Sequence, residues 1–395
     1  MPKVSKQSDK KKESKAKITG KLAKPKEQKK FLEYKQSAPY QLSLFDLLEN
    51  EKDFSNTIEL YDFMPKYVWG KVERVGGVFL PRLEREFECR GKKYRLTLFP
   101  SSIEDENGDE KYHYPAKREE IVEDALRKLM ADGGGVFLDG EAGVSFTLYR
   151  LQKELKENGH SYSRQQIKDA LEVLAKTTIE LKLESGVVEL IFHPIEALGF
   201  NGENKETQTF VRFSPLVTKS IKERTFRLFN YKTVMSYKTV IARQLHKRMA
   251  HHYTQASLTD HCTIMLTTII RDFGITRRKQ LKDNMREVEE SLAELKKKDV
   301  VINYKADKII EKSPRVKLVD VKISIQPHFH FVTEVKKANT RKKFAPCSPF
   351  SILSSNKPMW ACAPNCLPTT APPDRAGRGR PSRRGAESRP TLKLC

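Results

Sequence analysis

Apolar side chains recur at helical spacing in several stretches of this chain. Ile121, Ala125 and Leu129 fall four residues apart and predict a helix over 119–130, ended by Gly133-Gly134-Gly135. Leu148, Leu151 and Leu155 predict a second helix, capped by Thr147 and stopped at Asn158-Gly159. Ile167, Ala170, Leu171 and Leu174 stand at i, i+3, i+4 and i+7. Ser163 caps that helix, and Gln166 three residues on completes a capping box. Two β-branched runs follow, 178–183 and 187–193, joined at Ser185-Gly186 as a hairpin. Upstream, 87–99 reads as strand, Gly91 turn and strand, and 144–147 as a short strand.

The same order then recurs. Residues 210–213 read as a strand, and Ser236 caps a helix reaching His252 with Ile241, Leu245 and Met249 on one side. A strand at 262–267 and a short helix closed by Gly274 come next. Thr276 then caps a long helix to about Lys298, with Leu281, Met285, Val288, Leu292 and Leu295 in one stripe. Runs 300–304 and 316–325 form a second hairpin. Helix, strand, helix, turn, helix, hairpin, twice over, predicts an α+β chain of two tandem winged-helix (helix-turn-helix) domains, at 84–200 and 207–335. Residues 1–39 read as a disordered basic tail and 40–83 as an irregular arm. Residues 340–395 read as a disordered Pro/Arg-rich tail, unlike the rest in character.

Charge divides this organisation. The net charge of +23 is unevenly spread: 1–30 carry 12 basic and 3 acidic residues, 31–206 carry 24 and 33, and 207–330 carry 25 and 12. A polyanion would be held mainly by the second folded half. On its long helix, Lys279, Lys282 and Arg286 cluster opposite the apolar stripe, with Thr276, Arg277 and Arg278 at the start. Recognition helices enter the major groove with their N-terminal residues leading, and Arg suits guanine edges. The preceding helix offers Lys238, Arg243 and Lys247 for phosphates. In the first domain Arg164, Gln165 and Lys168 face outward beside Asp169 and Glu172, a poorer DNA reader suited to dimerisation.

Gln41-Leu42-Ser43-Leu44-Phe45 matches the bacterial sliding-clamp-binding pentapeptide, in which Gln41, Leu42, Leu44 and Phe45 are the binding residues, Leu44 and Phe45 filling an apolar pocket with Gln41 at its edge. Packing of that segment onto its own domain is the other reading. His328 and His330 would share one strand face, as in metal-dependent DNA-nicking proteins, with Tyr231 or Tyr237 as the nucleophile to propose; neither tyrosine stands in a recognisable context. A strand-end His pair is the simpler account. There is no phosphate-binding Gly-rich loop, and Cys362 and Cys366 lack a second ligand pair. The expectation is therefore a non-enzyme with no metal or cofactor. Six cysteines, no long apolar run and no apolar leader fit a cytoplasmic chain.

The runs Ser55-Asn-Thr-Ile-Glu-Leu-Tyr-Asp-Phe-Met-Pro-Lys-Tyr67 and Ser236-Tyr-Lys-Thr-Val-Ile-Ala-Arg-Gln-Leu-His-Lys-Arg-Met-Ala-His-His-Tyr-Thr-Gln255, with the middle winged-helix unit, resemble plasmid replication initiators of the RepA type. The resemblance covers roughly 40–335. It implies binding to repeated double-stranded sites at an origin, opening of an adjacent A·T-rich segment, and recruitment of the host sliding clamp, helicase and initiator. It also implies self-repression as a dimer and initiation as a monomer, with the first domain the candidate for homodimer formation. A dimeric winged-helix transcriptional repressor is the alternative.

Overall fold

The computed structural model describes residues 53–344, apart from 71, 73, 75–78, 105–107, 139, 187–188, 202–207, 254–256 and 312–316, with side chains to 339. The pentapeptide at Gln41–Phe45 lies outside the described residues. The chain begins with β1 (Phe54–Thr57), α1 (Glu59–Phe63), β2 (Leu83–Cys89), β3 (Lys92–Phe99), β4 (Ser101–Glu104) and β5 (Glu110–His113). Next come α2 (Lys117–Leu129), a π-turn (Met130–Gly134), β6 (Gly135–Leu138), β7 (Glu141–Thr147), α3 (Leu148–Glu157), α4 (Arg164–Lys176), β8 (Thr178–Leu183), β9 (Glu189–Phe192), β10 (Ile195–Asn201) and β11 (Gln208–Phe213). Then follow α5 (Pro215–Lys222), β12 (Arg227–Asn230), α6 (Tyr231–Met235), α7 (Val240–His252), β13 (Cys262–Met265) and α8 (Leu266–Asp272). Last are α9 (Leu281–Lys297), β14 (Val301–Glu311), β15 (Lys317–Pro327) and α10 (Phe329–Phe344).

Local chemistry sets the first winged helix as expected. Thr147 Oγ1 accepts from the Arg150 amide at 3.1 Å and starts α3. Ser163 Oγ accepts from the Gln166 amide at 3.1 Å, and Gln166 Oε1 accepts from the Ser163 amide at 2.9 Å. Ile167, Ala170, Leu171 and Leu174 are fully buried. Each of the three larger ones contributes about 1.5–3 kcal/mol by leaving water. The glycines after α2 are required by the π-turn. Gly133 has φ of 82°, and a Cβ at Gly134 would sit 2.7 Å from the Leu129 carbonyl oxygen.

Pairing departs from the simple scheme in the first unit. The β8–β9 hairpin joins β2 and β3 in the sheet β2-β3-β8-β9, whereas β7 lies in the sheet β10-β11-β7-β6. β11, expected to open the second domain, is therefore hydrogen-bonded into the first, with Val211 opposite Val144. Its alternate residues Thr209, Val211 and Phe213 are fully buried. The second unit has the simpler winged-helix sheet, β13-β15-β14, with α7, α8 and α9. Its first helix begins at Val240 with Thr239 as cap, not at Ser236, because residues 231–235 form α6.

The arm is a working part of the core, not an irregular appendage. β1 pairs antiparallel with β12, and Tyr61, Met64, Tyr67 and Val68 are buried. Tyr61, Met64 and Val68 join residues of α2, α4, α7 and α9 in one contiguous apolar cluster. α10 covers β12 from the other end of the chain, with Arg227 donating to Asn339 and Asn230 to Glu334, both at 3.0 Å. His328 and His330 sit at the start of this helix, not on a strand, because β15 ends at Pro327.

Candidate nucleic-acid interface

The helix expected to read DNA starts later than the sequence suggests. α9 begins at Leu281 with Gln280 as N-cap, so Thr276 is not its cap. Asn284, buried inside the first turn, explains the difference. Its Nδ2 donates to the Thr276 carbonyl at 3.0 Å, and its Oδ1 accepts from the Arg278 amide at 2.9 Å. The side chain thus ties down 276–278 as a non-helical segment. Keeping three cations out of the first helical turn also avoids opposing the helix dipole. Thr276, Arg277, Arg278, Lys279 and Gln280 are all exposed, and Lys282 and Arg286 continue the strip along the helix.

The cations of the strip differ in their partners. Arg278 donates through Nε and Nη2 to Glu287 Oε1, at 2.9 and 2.7 Å. Arg286 donates to Asp283 at 3.0 Å. Arg277, Lys279 and Lys282 make no ion pair among the described residues. The β14–β15 hairpin adds exposed Lys305, Lys308, Lys317 and Lys322, which the sequence reading missed. The lysines interleaved in both β-branched runs were the available signal. Lys238 is also exposed, but its amide and that of Thr239 donate to Glu294. At 1.5 Å per residue, Glu294 lies roughly 20 Å along the helix from Leu281. Lys238 therefore sits away from Leu281, although its neighbour Thr239 lines one cavity with Thr276, Arg278 and Glu287.

Arg243 and Lys247, expected to meet phosphates, are instead buried. Arg243 is 0% exposed and donates to Glu120 Oε2 from Nε (3.0 Å) and Nη2 (2.7 Å). Lys247 Nζ lies 2.6 and 2.7 Å from the two oxygens of Asp124. The physical reason is complementary spacing. Glu120 and Asp124 are four apart on α2, as are Arg243 and Lys247 on α7, so the two pairs meet face to face. That opposite-sign match was legible in the sequence.

The network continues into the arm. Arg127 makes two 2.8 Å bonds to the two oxygens of Asp62. Lys66 lies 3.6 Å from Glu123, and Tyr67 donates to Glu123 in a short hydrogen bond. Burial pushes the Asp62 carboxyl up, but Arg127, Lys66 and Lys247 outweigh it and hold the group below its ordinary value. Burial lowers the Lys66 ammonium to about 8 against the pull of Glu123 and Asp62. Four acids (Asp62, Glu120, Glu123, Asp124) thus face four bases (Lys66, Arg127, Arg243, Lys247), which makes their burial sustainable.

In the first unit Arg164 is half-buried and Gln165 donates to Asp169 at 2.8 Å. Lys168 lies 5.7 Å from the centre of the Phe200 ring. Tyr231 and Tyr237 are buried, and burial raises both hydroxyls above their ordinary range. The rings of His328 and His330 stack 5.0 Å apart, and no group of three metal-ligating side chains occurs among the described residues. No helix of the described residues is long and apolar enough to cross a membrane.

Neither a family model nor a curated protein matches the chain. Among solved structures it is similar to a crystal structure of domains 2 and 3 of RctB, at 12% identity and a TM-score of 0.45, over 68% of this chain and 96% of that one. A second crystal structure of RctB domains 2-3 gives 12% identity and 0.41, over 72% and 100%. The Pi initiator protein in complex with iteron DNA gives 13% identity and 0.36, over 53% and 90%.

Proposed function

We propose that this chain binds double-stranded DNA through its second winged helix and serves, in the cytoplasm, as a plasmid replication initiator of the RepA type. The observation that carries the DNA reading is the exposed strip Thr276–Gln280, Lys282 and Arg286, leading into a recognition helix and flanked by the lysine-bearing hairpin. Such a strip matches how recognition helices enter a major groove, while wing lysines suit phosphates. The initiator reading draws further support from the two RepA-like runs and from the clamp-type pentapeptide Gln41–Phe45. A repressor has no evident use for that pentapeptide. On this reading the protein occupies origin repeats, promotes opening of adjacent DNA and engages the host clamp, helicase and initiator, without a catalytic step or cofactor of its own. Dimerisation falls to the first winged helix.

The test is footprinting on DNA flanking the protein's own gene, with Lys279→Ala/Lys282→Ala/Arg286→Ala alongside. Phased protection of several direct repeats, lost in the triple variant, is the expected result. Protection of one inverted site at the promoter alone identifies a repressor instead. No specific footprint, at a salt concentration where non-specific binding is weak, overturns the DNA reading.

A further inference from the structure

The acidic residues beside the DNA-facing strip have a specific place. Glu287 receives both Nε and Nη2 of Arg278, and Asp283 receives Arg286. The Arg278 guanidinium is 56% exposed and Glu287 33% exposed, so the pair stands at the surface where a phosphate would arrive. Asp283 and Arg286 are 40% and 67% exposed. The remaining cations of the strip carry no such partner among the described residues. Two of the five strip cations are therefore already matched by carboxylates, and these carboxylates repel an approaching phosphate.

We infer that Glu287, assisted by Asp283, acts as an internal competitor for DNA that suppresses non-specific binding and so sets specificity. This rests on the reading of the strip as a DNA interface. Any duplex offers phosphates, and a phosphate must displace Glu287 to recruit Arg278. The gain is small, because one anion merely replaces another. A guanine edge presents two acceptors in fixed geometry to the guanidinium fork, without adding a negative charge next to Glu287. The carboxylate thus penalises phosphate contact more than base contact. Only a site that also satisfies Arg277, Lys279 and Lys282 recovers the difference.

The test is fluorescence anisotropy with two duplexes across a salt series: a scrambled 30-base-pair duplex and the protected sequence from the footprint. The proteins are full-length wild type, Glu287→Gln, Glu287→Ala and Arg278→Ala, with circular dichroism checking that each is folded. Each added phosphate contact steepens log K against log salt by about 0.9, or about eightfold tighter binding at 0.1 M salt. Both Glu287 variants are expected to gain about that factor on the scrambled duplex, with the steeper slope, and much less on the specific one. Equal gains on both duplexes would mean Glu287 lowers affinity without discriminating, and the inference fails. No gain on either duplex, while Arg278→Ala still weakens binding, also overturns it and leaves the interface intact. If Arg278→Ala and the triple lysine/arginine variant both bind like wild type, the interface itself is wrong and the inference falls with it.

Discussion

Arg243→Met separates a structural arginine from a DNA-contacting one. Arg243 makes two charge-assisted bonds to Glu120, at 3.0 and 2.7 Å, and one to the Tyr237 carbonyl at 3.2 Å. Its removal leaves Glu120 with only the 2.7 Å bond from Gln244 and with Lys247 nearby, in a site 1% exposed. Two lost bonds to a buried carboxylate, at about 1.5–3 kcal/mol each, give roughly 3–6 kcal/mol. That agrees with the about 3–5 kcal/mol typical of breaking one partner out of a buried ion pair. In thermal denaturation followed by circular dichroism, the melting point should fall by on the order of 10 °C. Glu120→Gln/Arg243→Met should recover most of this, because no charge is then stranded. Both variants, while folded, should bind duplex DNA with the wild-type salt slope. A fully stable Arg243→Met protein whose DNA affinity and salt slope both drop would refute the buried-network account.

Two further outcomes follow. Burial lowers the imidazoles of His246 and His251 to about 3, whereas in the unfolded chain they titrate near 6.5. The unfolded state binds the extra protons, so stability falls with falling pH from about 6.5 towards 3, by about 1.4 kcal/mol per unit per histidine, and neither group contributes above 6.5. Urea midpoints at pH 7, 6 and 5 should show this, with a shallower loss in His251→Asn; an unchanged loss in that variant removes His251 from the account. Asn284→Ala should cost about 2 kcal/mol through two orphaned backbone groups. It should also weaken DNA binding several-fold as residues 276–278 lose their fixed course. Wild-type anisotropy curves for Asn284→Ala would show that the turn needs no such anchor.

Legibility followed the range of the signal. Thr147, Ser163 with Gln166, and the stripe Ile167 to Leu174 act within one or two helical turns, and the structure has each where the pattern puts it. Pairing between distant strands leaves no local mark, so β11 was grouped with the residues after it rather than with β7 before it. The arm looked irregular because its partners are distant in sequence, 170 or more residues away at β12 and α7 and 56 and 65 residues away at Glu123 and Arg127 of α2. In the proposed interface, charge and position near the helix start picked out Arg277, Lys279 and Lys282, which are exposed. Arg243 and Lys247 carried the same charge but not the same fate, since only the acids of α2 decide it. Asn284 gave no signal at all, because a polar residue on an apolar stripe reads as an interruption until its backbone partners are known.

The pairing of β1 with β12 constrains how the chain comes off the ribosome. Phe54 lies opposite Asn230, so the first described strand waits for a partner synthesised 176 residues later. At translation rates of about 5–20 residues per second, that delay is roughly 10–35 s. Glu120 and Asp124 likewise wait, for 123 residues, until Arg243 and Lys247 emerge. During that interval the first half carries an unpaired strand and a helix with two uncompensated acids, Glu120 and Asp124, directed at an absent neighbour. Two sequential winged helices would suggest domain-by-domain folding, N-terminal first. The long-range pairing instead makes completion of the first unit depend on the second, with a late, high-contact-order step joining both.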